Sequence, residues 1–354
     1  MQGVATAGLV RKIKSVSLAA IFTAGLAWPA GAQSVADLAK LSGPDRMQKL
    51  IDGAKKEGTL TLYTSQTPED VAVIISTFEQ KYGVKVRLWR GSSEDILQRS
   101  VVENRAKRFE ADVYETNGPE MEALARENLL QPIESPVFAD LIPEAVAPKN
   151  WIGTRLNIIT GAINTNLVKK EDAPKSYEDL KDPKWKGKLG IEAGDADWFA
   201  TVVTAMGEEK GLQLFKDIVA KNGISIRKGH TLLANLVTSG EIPVSLTVYL
   251  YKANQFKTKG APIDSFVLPP AVGRVNGVGV AAQSPHPHAA ILFFDFLLSD
   301  SQKILAEREF FPTNKKYLQL PEGLNLKLVD SALMLDQGKK WDKLYQDIVL
   351  RQSR

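Results

Sequence analysis

The sequence predicts an α/β protein built as two lobes, each a mostly parallel sheet covered by helices. Residues 58–129 alternate strand and helix three times over. A second alternation begins near Trp151 and runs to about residue 298. No Pro/Ser-rich linker separates the two sets, so strands crossing between the lobes join them. A parallel sheet needs cover on both faces, so each lobe has its own core.

The elements follow in order. Gly58–Ser65 alternates as a strand, and Thr67-Pro68-Glu69-Asp70 opens a helix, with Thr67 as cap, Pro68 in the first turn and Asp70 at the capping-box position. Val71, Ile74, Ile75 and Phe78 share one helix face, and Gly83 ends the helix. Val84–Trp89 is the next strand. Ser92 or Ser93 then caps a helix to about Arg108, Ala111–Thr116 is a third strand, and Pro119–Leu129 a third helix.

In the second set Arg155–Asn164 is a long strand, Ser176–Leu180 a short helix, and residues 182–188 a turn-rich connection. Strands are expected at Leu189–Ala193, Ile224–Arg227, Val244–Val248, Ile263–Leu268 and 277–282. Helices are expected from about Ala196, over His230–Thr238, Tyr249–Lys259 and Pro287–Leu298, the last apolar nearly all round and hence buried.

Composition sets limits on function. Arg11, Lys12 and Lys14 precede an uncharged apolar run ending in Ala30-Gly31-Ala32, the pattern of a secretory leader over 1–32. Without it, 42 basic residues face 41 acidic ones, so the whole-chain charge of +4 points to no nucleic-acid partner. The chain has no Cys and three His, which excludes disulfides, zinc–thiolate sites and thiol nucleophiles. No GxSxG, Walker, dinucleotide or HExxH motif is present. His286-Pro287-His288 reads as a helix cap, and Asp195-x-Asp197 either as a cap with first-turn charge or as two carboxylates for a metal or an acid/base pair.

The candidate ligand contacts lie where strands hand over to helices. Ser65, Gln66, Ser92, Ser93, Asp195 and Trp198 occupy such positions, where free backbone N–H groups favour an anionic or strongly polar ligand. Tyr249 and Tyr251 sit at another. As phenolates they are candidate ligands for a hard cation; as phenols they stack on an organic molecule. Helical residues two apart do not share a face, which argues that at least one tyrosine is packing. Arg90 and Arg155 are candidates to pair with an anion.

Taken in order, Thr61-Leu62-Tyr63-Thr64-Ser65-Gln66, Arg90-Gly91-Ser92-Ser93, Glu110-Ala111-Asp112-Val113-Tyr114, the run from Tyr177 to Lys188, Gly277-Val278-Gly279-Val280, His286-Pro287-His288-Ala289-Ala290, Phe294–Ser299 and Gln302 resemble the family 1 extracellular solute-binding proteins of ATP-binding cassette importers, in the ferric-iron-binding branch. The resemblance implies a type II periplasmic binding protein: two α/β lobes around a hinged ligand cleft. Lobe one would comprise 33–153 and 278–330, and lobe two 154–277 and 331–354. It implies a monomeric periplasmic protein that holds a small molecule or ion, meets an inner-membrane permease, and carries no catalytic residues and no cofactor, with Fe³⁺ as one candidate cargo. Ferric members use a His, a Glu and two adjacent tyrosines. These fall here at Thr67, near Asn117 and at Tyr249-Leu250-Tyr251, and a further subgroup tyrosine falls at Ile163 or Asn164. Two split phenols supply few anionic oxygens for Fe³⁺, which leaves a small organic or phosphorylated anion as the other candidate. The rival roles are an exported enzyme on the same fold and a ligand-sensing partner of a membrane receptor.

Overall fold

The computed structural model describes residues 34–351, so the expected leader lies outside the described residues. Two short helices, α1 (Val35–Ala39) and α2 (Arg46–Glu57), precede the first alternation. That alternation is β1 (Thr59–Thr64), α3 (Pro68–Tyr82), β2 (Lys85–Arg90), α4 (Ser93–Arg105), β3 (Val113–Asn117) and α5 (Gly118–Arg126). Thr67 is extended and Pro68 takes the first helical turn of α3, which ends at Gly83 with φ of 73°. α4 starts with a capping box, the Asp95 amide donating to Ser92 Oγ at 3.1 Å and the Ser92 amide to Asp95 at 3.1 Å. The short β4 (Leu130–Gln131) and α6 (Pro143–Val146) lead to β5 (Ile152–Asn164), which is buried along its whole length.

The second alternation is β6 (Leu189–Glu192), α7 (Ala196–Met206), α8 (Glu208–Asn222), β7 (Ser225–Arg227), α9 (His230–Ser239), β8 (Val244–Tyr249), α10 (Leu250–Thr258) and β9 (Ile263–Phe266). The helix expected from Ala196 is two helices, broken at Gly207, whose φ of +88° is open to glycine and strained for other residues. The chain then returns through β10 (Ala271–Ala281), α11 (Pro287–Leu298), α12 (Asp300–Glu307), β11 (Phe311–Pro312) and β12 (Leu326–Leu328), and ends with α13 (Ser331–Tyr345).

The principal strand order is β2-β1-β3-β10-β5-β8-β6-β7. The outer pairings β1–β2, β1–β3, β6–β7 and β6–β8 are parallel. The three central ones, β3–β10, β10–β5 and β5–β8, are antiparallel. The expected parallel sheets are therefore confined to the flanks, because β5 and β10 run in opposite senses between the two halves. Both strands are longer than the sequence suggests, β10 starting at Ala271 rather than 277. With both faces covered, neither shows the alternation that marks a half-exposed strand.

Apolar side chains divide at these two strands. One core gathers residues of α2, α3, β1, β3 and α11, including Leu50, Phe78, Leu62, Val113 and Phe293. Another gathers β6, α7, α8 and α13, including Ile191, Phe199, Phe215 and Trp341, and a small third packs α9 and α10 on β8. The result is a two-lobed α/β fold with crossing strands between the lobes. Among the described residues no helix is long and apolar enough to cross a membrane.

Candidate functional site

A cleft of about 530 Å³ opens over the crossing strands, walled by helix starts from both halves. Its floor comes from β5 and β10. Side chains two apart on a strand share a face, so Arg155 and Asn157 stand beside Asn276 and Arg274, their partners in register. Asn157 donates its side-chain amide to Asn276. Each arginine is anchored in a different half. Arg155 is buried, pairs with Glu115 of β3 and lies over the Phe310 ring at 5.4 Å. Arg274 forks onto the start of α7, with Nε 2.6 Å from Asp197 Oδ2 and Nη2 on Asp197 and, at 3.2 Å, on Asp195. Its Nη1 donates to the Tyr249 hydroxyl at 2.6 Å.

The wall on the first half carries the hydroxyls and amides of Ser65, Gln66, Thr67, Ser92, Ser93 and Asn117, with Thr116 fully buried behind it. Thr116 Oγ1 lies 2.8 Å from Ser93 Oγ and 3.2 Å from Ser65 Oγ. Around it start α3, α4 and α5. Neither Thr67 nor Asn117 caps its helix with its side chain, so first-turn amides of α3 and α5 have no side-chain partner there. The Ser92 hydroxyl, in contrast, is committed to its own capping box. Gln66 Nε2 and Arg155 Nε are buried donors without a hydrogen-bond partner among the described residues.

The opposite wall carries Glu192, Asp195, His230, Tyr249 and Tyr251. His230 Nε2 lies 3.2 Å from Asp195 Oδ1, and Nδ1 3.3 Å from the Thr247 carbonyl. Both ring nitrogens thus face acceptors, which fits the doubly protonated imidazolium. Burial alone would lower His230, but the Asp195 carboxylate outweighs it and raises the imidazole. Burial likewise works to raise Asp195, yet His230 and Arg274 hold its carboxyl below the ordinary range. Burial pushes both tyrosine phenols up, against the pull of Arg274 on Tyr249 and of Arg155 on Tyr251, so both are neutral phenols.

Four rings stack across this wall. His230 and Tyr249 have centroids 3.9 Å apart, Tyr249 and Tyr251 5.6 Å, and Tyr251 and Phe310 4.0 Å. Both tyrosines line the cleft, contrary to the helical spacing rule. Tyr249 is the cap residue, extended at φ −68° and ψ 128°, so the two are not successive helical positions.

Eight of the predicted contacts meet in this cleft: Ser65, Gln66, Ser92, Ser93, Arg155, Asp195, Tyr249 and Tyr251. Trp198 does not. It is 1% exposed and packs in the second core against Tyr177 and Phe215, because one residue beyond Asp197 the helix has turned by about 100° toward the core. Asp195 is the N-cap residue of α7, without a side-chain cap bond, and Asp197 its first-turn acid, as expected; both carboxylates pair with Arg274. Asn157, Glu192, His230, Arg274 and Asn276 escaped sequence reasoning. The signal available was a polar pair two apart in each otherwise apolar strand. Away from the cleft, His286 and His288 bind Asp112 and Glu57, and the Ser284 hydroxyl donates to Asp112 rather than to a histidine. That geometry makes no Ser–His–Asp relay there.

Ligand atoms of Glu192, Asp195 and His230 lie within 4.8 Å of one another, close enough to hold a cation. Each is already engaged, Glu192 by the amides of Gly194 and Gly229.

Residues 61–304 match the family model for bacterial extracellular solute-binding proteins. Iron uptake protein A1 of Synechocystis sp. is 25% identical over 280 residues, 74% of this chain and 77% of that protein. The Fe(3+)-binding periplasmic protein of Serratia marcescens is 25% identical over 272 residues, 73% of this chain and 79% of its own length. Among solved structures, iron-bound HitA from Pseudomonas aeruginosa superposes with a TM-score of 0.71 at 26% identity, covering 82% of this chain and 99% of that one. The periplasmic binding protein AfuA from Actinobacillus pleuropneumoniae shares the fold, with a TM-score of 0.71 at 24% identity over 83% of this chain and 99% of that one. This chain belongs to the bacterial extracellular solute-binding proteins.

Proposed function

We propose that this chain is the periplasmic substrate-binding component of an ATP-binding cassette importer, and that its cargo is a small organic anion bearing a phosphate or carboxylate. The observation that carries the reading is the Ser65–Thr116–Ser93 hydroxyl cluster, set among the starts of α3, α4 and α5 and beside Arg155. Helix N-termini and hydroxyls give an oxyanion many moderate hydrogen bonds, strong together and separately releasable. Tyr249 and Tyr251, whose faces are stacked on His230, on each other and on Phe310, offer ring edges to the organic body, and Asn157 Oδ1 an acceptor to its hydroxyls.

Capture follows lobe closure. The bodies that close are 33–153 with 278–330, and 154–277 with 331–354, hinged at β5 and β10. Closure is driven by the solute's greater affinity for the closed form, and no bond is made or broken. The protein acts as a monomer, exported to the periplasm and cut after residue 32, and hands its cargo to an inner-membrane permease.

Iron is the second reading. It is favoured by the paired tyrosines, the Glu192–Asp195–His230 group and the iron-binding names of the relatives. A thermal-shift screen of the mature protein against inorganic phosphate, sugar phosphates, small dicarboxylates and ferric citrate tests both. A solute at about 100 times its dissociation constant adds about 2.7 kcal/mol. Stabilisation by phosphorylated or carboxylate solutes, recovered unchanged, supports the anion reading. Stabilisation by iron alone, with a visible charge-transfer band lost in Tyr249→Phe, overturns it, and turnover of the solute would instead support an enzyme.

A further inference from the structure

One fully buried carboxylate outside the cleft gathers groups from both halves of the molecule. Asp70 stands in the first turn of α3, whose Val71, Ile74 and Phe78 belong to the first core. It accepts hydrogen bonds from the Thr67 hydroxyl and from Arg308, whose Nε is 2.9 Å from Oδ1. Both partners belong to the first half. From the second half, α10 presents Lys252, 3.7 Å from Oδ2, and Gln255, whose Nε2 is 3.4 Å from Oδ1 and 2.9 Å from the Arg308 carbonyl. Lys252 is 2% exposed and also donates to Gln255 at 2.6 Å.

The chain neighbours of this cluster are cleft residues. Thr67 lines the cleft, Lys252 follows Tyr251, and Arg308 lies two residues before the Phe310 that stacks on Tyr251. We propose that Asp70 is a positioning residue: it latches α10, with Tyr249 and Tyr251 at its start, to the first-half wall and so sets how far the ligand-free lobes stand open. The electrostatics give the direction. Asp70 lies between a cation of each half, Arg308 and Lys252. With the carboxylate neutralised, two cations face each other across the joint, and attraction between the halves becomes repulsion. The latch rests on the hinge of the proposed function but on neither choice of cargo.

The chain has no Cys, so Lys55→Cys on α2 and Lys216→Cys on α8 give one spin-label pair across the halves. Distances by pulsed EPR are compared, without solute, for the labelled parent, Asp70→Asn, Lys252→Gln and the double variant. Asp70→Asn is expected to lengthen and broaden the distribution, and the double variant, which no longer strands a buried lysine, to return toward the parent. A purely structural role would lower the melting temperature and leave the distances in place. Superimposable distributions for the parent, Asp70→Asn and Lys252→Gln overturn the proposal. If Asp70→Asn does not fold, Lys252→Gln reads the same joint, and an unchanged distribution there is equally fatal. The parent's response to the solute found by thermal shift reports on the hinge separately, so failure of the latch and failure of the hinge are distinct results.

Discussion

Arg274→Met isolates the ion cluster at the centre of the cleft. The guanidinium serves three partners, Asp195, Asp197 and the Tyr249 hydroxyl, and Asp195 is wholly buried. Methionine keeps much of the volume and removes every donor. Removing one member of a buried ion pair costs about 3–5 kcal/mol, because the remaining charge stays in a poor solvent. At about 2–4 °C per kcal/mol, the melting temperature should fall by about 10 °C at pH 7.5. The pH dependence carries the test. In the parent, Asp195 has a depressed pKa, so its contribution is present above the unfolded value near 3.9 and is lost only as pH falls below that. Without Arg274, burial is opposed only by His230 and the Thr247 hydrogen bond, and the Asp195 pKa climbs. The deficit is therefore greatest at neutral pH and narrows toward pH 4. Thermal melts of parent and variant by circular dichroism across pH 4–8 measure it. A variant as stable as the parent at pH 7.5, or a deficit that widens on acidification, would refute the assignment of this cluster.

Glu120 at the start of α5 is raised to about 7 by burial against the pull of Arg274, and its Oε2 has no partner among the described residues. A raised carboxyl favours folding below its unfolded pKa and costs stability as pH rises through the folded one, so Glu120→Gln should stabilise the protein by up to about 3 kcal/mol at pH 8 and hardly at all at pH 4; denaturant titration at both pH values checks this. Trp198→Phe should cost about 1–3 kcal/mol by opening space in the second core, yet leave the dissociation constant of the cleft solute within about twofold by calorimetry. Thr116→Val removes the hydroxyl between Ser65 and Ser93, and should weaken an anionic solute about tenfold in the same measurement.

The alternation of strands and helices was legible because turns, caps and apolar faces are local, and the helix starts it located are the cleft walls. Pairing was not legible. Periodicity says that β5 and β10 are strands, but nothing in it says that they run antiparallel at the centre of the sheet. Arg274 was missed for that reason: a strand read from 277 leaves it in a loop, whereas Arg274 and Asn276 are successive residues on one face of a strand. Asp70 was misread differently. Its spacing from Thr67 matches a capping box, but the hydrogen bond runs from the Thr67 hydroxyl to Asp70, and the carboxylate answers Arg308, Lys252 and Gln255. Those partners are more than 180 residues away, and only the tertiary fold brings them there.

The balance between anion and iron turns on which cleft groups are uncommitted. Arg155 is matched by Glu115, Arg274 by Asp195 and Asp197, and His230 by Asp195. What remains is hydroxyls, helix starts without side-chain caps, Gln66 Nε2 and the third edge of Arg155, together with Arg90, Lys228 and Glu94, which line the cleft with no ion pair among the described residues. A bare Fe³⁺ asks for several anionic oxygens. To supply them, Asp195 would leave Arg274, Glu192 would leave two backbone amides, and two phenols raised by burial would lose their protons. The resemblance to ferric-iron-binding members matches their His to Thr67, whose hydroxyl is on Asp70, and their Glu to the neighbourhood of Asn117, a neutral amide. An anionic solute asks for none of these rearrangements. Of the carboxylates that would repel it, Glu115, Asp195 and Asp197 are held by arginines and Glu192 by two backbone amides.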